Sequence, residues 1–174
     1  LLVPTWASLQ PSRSVCVPLL TGYLFLLATL LEPLLSRLPA AAISAQLTIS
    51  SVCVAVLIAG FVSVTYARPA GIAAAALAGV CVAVYLTPVA ATARGLSLGY
   101  AVTVGGWAFI GCIEPHQPAI GLLLAPVAPL SLWWCVSGPV SRLHGRTEAI
   151  VQTVVVLFHL AIAVGLVAMT SAHS

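Results

Sequence analysis

The chain alternates long apolar runs with short polar breaks. The first run, "PLLTGYLFLLATLLEPLLS" at 18–36, closes on Arg37 and Pro39. Five more follow, at 42–66, 70–91, 96–113, 119–137 and 148–171. A helix needs roughly 20 apolar residues to cross a hydrocarbon core, and these runs meet or approach that length. The pattern predicts an all-α polytopic membrane bundle of about six transmembrane helices. It forms one transmembrane domain over 1–174 with no extramembrane domain, because the longest connector is "GPVSRLHGRT" at 138–147. Residues 1–14, with Trp6, Pro11 and Arg13, read as an interfacial lead-in; the run after them lacks a small-residue cleavage site.

Composition points the same way. The 174 residues are 61% hydrophobic and 5% charged, whereas a soluble domain is about a quarter charged. There is too little polar material to give every outer helix a wet face. Lys, Asp and Asn are absent, and all six basic residues are Arg. Missing Lys and Asn suit a GC-rich coding sequence, and missing Asp suits exclusion of charge from a membrane.

Short connectors make neighbouring spans antiparallel, so six spans place both termini on one side. Arg13 and Arg68 fall on that side; Arg37, Arg94, Arg142 and Arg146 fall on the other. The side richer in Arg is the inner one. The expected location is therefore the inner membrane of a GC-rich bacterium or of an organelle, with termini on the outer side. The Arg residues form no patch, so no nucleic acid partner is expected. Arg142 and Arg146 are candidates for lipid or partner contact. Thr147 is expected to cap the last helix with Glu148 in its first turn.

Packing in lipid depends on small residues that let backbones approach. Gly71, Ala75 and Gly79 recur every four residues and form the expected packing stripe. Pro126 and Pro129 predict a bent or broken fifth span, since each removes a backbone donor. Trp133 and Trp134, near its end, read as interface anchors.

Few residues could carry chemistry. Glu114, His116 and Gln117 lie between Ile113 and Pro118, with Pro115 among them, which reads as a wet bend or a proton-handling pair at a path's mouth. Glu32 lies inside the first span, with Arg37 or Arg94 as candidate partner. His159 lies midway along the last span, seven residues after Gln152, so both should share an inward stripe. A bis-His haem needs a second His at that depth, and none is evident, so haem is not expected. Cys16, Cys53, Cys81, Cys112 and Cys135 are scattered and read as small apolar residues. No HExxH, GxSxG or P-loop pattern occurs.

The expectation is thus a non-catalytic subunit of a larger membrane complex, of the respiratory or photosynthetic kind. It would add helix packing and a proton path, with membrane lipids and other transmembrane subunits as partners. No cofactor beyond bound lipid is expected. The alternative is a small channel, transporter or substrate-binding component using Glu32, Glu114 and His159.

Overall fold

The computed structural model describes residues 13–87, 95–113, 119–137 and 146–171. These are helical throughout apart from short turns, with no strand among them. Five helices are long and apolar enough to cross a membrane, and the molecule is an α-helical bundle of that class. The helices are α1 (Arg13–Arg37), α2 (Ala40–Phe61), α3 (Val64–Leu86), α4 (Leu96–Ile113) and α6 (Arg146–Ser171). Between the last two lies α5 (119–137), apolar but broken.

α2 and α3 pack against each other most extensively. The break between them comes at Val62 and Ser63, earlier than the expected boundary at Tyr66–Ala70. Two N–H groups, from Val62 and Ser63, converge on the Ile58 carbonyl and end α2. Ser63 then caps α3, its hydroxyl accepting the Thr65 N–H at 3.2 Å. Pro69 therefore sits within the early turns of α3, where it costs one backbone bond without stopping the helix. Arg146 already opens α6, so Thr147 lies in its first turn and does not cap it.

The packing stripe on α3 also needs correction. Its buried residues are Ala70, Ala74, Leu77 and Val84, one position off Gly71, Ala75 and Gly79. A Cβ added at Gly71 or Gly79 would meet nothing within 4 Å. The buried row advances by four, three and seven residues and brings Leu77 and Val84 to the buried face. The all-small stripe leaves a shallow apolar groove of about 430 Å³, bordered by Val52, Val56 and Ala59 of α2.

Close approach occurs elsewhere. Gly121 of α5 lies against α6 so tightly that a Cβ would fall 2.5 Å from Val167 Cγ2 and 2.6 Å from the Ala163 carbonyl oxygen. Gly105 of α4 faces the Leu24 and Leu27 methyls of α1, each 3.1 Å from where a Cβ would stand. α5 is the hub. It packs on α1, α2, α4 and α6, while α3 does not lie on α5 but packs mainly on α2 and also on α4.

Two departures from α geometry matter. Ala101–Gly105 of α4 is a π turn, and Ala125–Leu132 of α5 is a 3-10 helix. The latter rises faster, so the 19 residues of α5 reach roughly 33 Å.

Gly121→Ala should lower stability by about 1–3 kcal/mol through overpacking, read as a fall in thermal midpoint in detergent. Gly79→Ala, where space is open, should leave the midpoint unchanged or slightly raised.

Candidate functional site

The polar centre of the bundle is built around the two prolines of α5. A proline cannot donate its backbone nitrogen. Pro129 leaves either the Ala125 carbonyl (α register) or the Pro126 carbonyl (3-10 register) without its donor. Pro126 does the same to Leu122 or Leu123. Unpaired carbonyls inside a membrane bundle cost several kcal/mol unless something else satisfies them.

Three neighbouring helices supply donors to the carbonyls of this stretch. Tyr23 of α1 donates its hydroxyl to the Leu123 carbonyl at 3.0 Å. Ser50 of α2 donates to the Ala125 carbonyl at 2.6 Å. Tyr100 of α4 places its hydroxyl 3.0 Å from the Pro126 carbonyl and 2.7 Å from Ser50 Oγ. Its single proton is shared between these two acceptors, because Ser50 has committed its own to Ala125. Tyr100 and Ser50 are fully buried. Tyr100 ends the α segment just before the π turn of α4. That wider turn keeps Val104 and Ala108 on the buried face after it.

None of the three hydroxyls stands out in the sequence as a site. The signal is present in combination: two interior prolines demand donors, and Ser and Tyr are the interior groups of the neighbouring spans that can donate. What the sequence lacks is the pairing of spans.

A second polar set joins α2 to α6. Gln46 donates through Nε2 to Thr153 Oγ1 at 2.9 Å. Thr153 donates onward to the Ala149 carbonyl, so its oxygen must accept from Gln46 and the amide orientation follows. Gln46 Oε1 is then a buried acceptor without a partner. Gln152, buried, donates to Glu148 one turn earlier at 3.0 Å.

The residues singled out from the sequence are dispersed. Gln152 faces inward, but His159 is exposed, so the two do not share a buried stripe. The inward face of α6 runs Gln152, Val156, Leu160, Ala163 and Val167. This row advances mostly by four, drifts around the helix and passes beside His159. The His159 ring holds Nδ1 at 3.1 Å from the Val155 carbonyl, which leaves Nε2 pointing away from its own turn. Phe158 stands edge-on to it, with ring centroids 6.2 Å apart.

Arg37 is not the partner of Glu32. Its guanidinium lies over the Trp133 ring, 5.5 Å from the centroid, and Trp133 in turn donates Nε1–H to the Leu30 carbonyl at 3.1 Å. Trp133 thus ties α5 to α1, while Trp134 is 75% exposed and free to serve as an anchor. Glu32 instead accepts the Ser97 hydroxyl of α4 through Oε2. Glu114, His116, Gln117, Arg94 and Arg142 lie outside the described residues. Among the described residues no group of three His, Cys, Asp or Glu could hold a metal ion, and the five cysteines form no disulfide.

No protein-family model, curated protein or solved structure matches the chain.

Ser50→Ala should cost about 1–3 kcal/mol, because it strips the donor from a buried carbonyl. In a Pro129→Ala background the turn can return to the α register, where the restored N–H serves Ala125, so the same change should cost less. A double-mutant cycle by thermal unfolding in detergent reads this coupling. Equal costs in the two backgrounds would show that Ser50 does not act through the freed carbonyl.

Proposed function

We propose that this chain is a non-catalytic integral membrane subunit of a larger complex, of the energy-converting kind. The observation that carries the reading is His159. It sits about 20 Å from either end of α6 at 1.5 Å per residue, and it is exposed. Ionisable side chains at that depth face protein or a water-filled cavity, seldom lipid. A neighbouring transmembrane subunit laid on this face of α6 would shelter the imidazole and offer a donor to Nε2.

The interior supports the same reading. The buried hydroxyls at α5 are engaged in holding helices together, and Gln152 is bonded to Glu148. Gln46 Oε1 is the one acceptor left over among the described buried side chains. Such a core suits a packing subunit better than a conduit.

In this reading α5 is a sixth crossing. Its 3-10 stretch extends it to about the thickness of a hydrocarbon core, roughly 30 Å. Six crossings place both ends of the chain on the outer side, and Arg37, Arg94, Arg142 and Arg146 on the inner side, of a bacterial or organellar inner membrane.

Extraction in mild detergent tests the proposal. With a photo-reactive residue in place of His159, irradiation in the native membrane should capture another polypeptide, and the extracted particle should exceed the 17.8 kDa chain plus its detergent belt. Capture of lipid alone, with the chain migrating as a monomer that conducts or transports in liposomes, would overturn it in favour of a transporter.

A further inference from the structure

The turn between the two prolines of α5 holds one hydroxyl more than its register requires. In a 3-10 helix each carbonyl accepts from the third N–H along the chain, so Pro129 deprives the Pro126 carbonyl. In an α-helix it accepts from the fourth, so Pro129 deprives the Ala125 carbonyl instead. Only one of the two lacks its donor in a given register. Yet both are served: Tyr100 bonds the Pro126 carbonyl at 3.0 Å and Ser50 the Ala125 carbonyl at 2.6 Å. Residues 125–132 are 3-10, so Ala125 already faces the Ala128 N–H. Ser50 is thus the surplus donor, placed where the α register would need it. All these groups are buried.

The two hydroxyls also touch each other, 2.7 Å apart. That contact permits a handover. When the stretch steps into the α register, the Leu130 N–H takes the Pro126 carbonyl. Tyr100 then gives its proton to Ser50 alone, and Ser50 keeps its bond to Ala125. The step strips no donor from either carbonyl, which is the cost that a membrane bundle penalises most. Before Pro126 the 3-10 register is held by Tyr23 on the Leu123 carbonyl. The step is therefore confined to the residues after Pro126, and Gly121 stays seated against α6.

Trp133 closes the other end. Its backbone N–H reaches the Leu130 carbonyl, three residues back, so the 3-10 pattern runs up to it. Its ring N–H bonds the Leu30 carbonyl of α1 at 3.1 Å, under the Arg37 guanidinium. Passing from 3-10 to α shortens a helix by about 0.5 Å and rewinds it by about 20° per residue. Converting residues 127–130 draws Trp133 in by about 2 Å and turns it by about 80°. It leaves the Leu30 carbonyl and releases Arg37. The turn also withdraws Leu132 from the core, so the α form is the minor one. We infer that this stretch of α5 is a two-register hinge: Trp133 latches the 3-10 form, and the Tyr100–Ser50 pair hands the carbonyls over when the latch opens.

Fluorine NMR of fluorotryptophan-labelled protein tests this, on the purified chain or the particle it co-purifies with. The Trp133 signal is assigned by its loss in Trp133→Phe. The expected result is a main signal that exchanges with a minor one, detected by saturation transfer. Tyr100→Phe removes the donor that the 3-10 register needs, and should raise the minor population several-fold. Ser50→Ala removes the donor that the α register needs, and should lower it several-fold. The 3-10 form stays the majority in both. In Pro129→Ala the restored N–H serves either carbonyl, so the opposition between the two changes should shrink. A single Trp133 signal in every variant would overturn the proposal. So would shifts of the same sign in Tyr100→Phe and Ser50→Ala, which would mark a general loosening of the core. The readout lies at α5 and is independent of whether α6 meets a partner subunit.

Discussion

Two prolines in the middle of an apolar helix create the constraint on which the bundle rests. In water the freed carbonyls of α5 would simply be hydrated. In a membrane each must find a proton donor from another part of the protein. Tyr23 and Tyr100 provide them at Leu123 and Pro126, and Ser50 adds a bond to the adjoining Ala125 carbonyl. Each bond fixes one neighbour's depth and rotation against α5. A helix weakened in its own backbone thereby becomes the part that sets the positions of α1, α2 and α4.

This arrangement suits a chain so poor in charge. Lipid supplies little hydrophobic drive between helices, so association relies on close packing and on interhelical hydrogen bonds. Gly121 lets α5 and α6 approach nearly backbone to backbone, and the hydroxyls add direction. Trp133 joins the ends, bonding the α1 backbone on one side and bearing Arg37 on its face. Directional bonds to single carbonyls specify a register that interchangeable Leu and Val contacts would leave loose.

Much of the fold is legible in the sequence, for a simple reason. Length and apolarity decide whether a segment suits a membrane, and both can be read along the chain. The break in α5 is visible too, since Pro126 and Pro129 act locally. The turn after α2 is harder to place because "YARP" is a conspicuous stop signal, whereas Ser63 caps quietly five residues after Ile58. The stripe on α3 lies one residue from the expected one because an Ala-rich helix offers several equivalent small faces; the partner's shape selects among them. The site is less legible. Tyr100 and Ser50 lie far apart in sequence and bond each other beside α5. His159 shares a seven-residue spacing with Gln152, but the drift of the α6 face does not respect that spacing.

The outward placement of His159 leaves an ionisable group on a surface that an isolated bundle would present to lipid. The core behind it is set by the α5 carbonyls, and among their bonds the decisive one is at Pro126. Isotope-edited infrared spectroscopy with a labelled carbonyl at Pro126 reports its hydrogen bonding directly. The expected amide I band is low in frequency, rises in Tyr100→Phe and stays unchanged in Tyr85→Phe, a change at an exposed tyrosine of α3. A Pro126 band that is already high, or that ignores the loss of the Tyr100 hydroxyl, would contradict this arrangement.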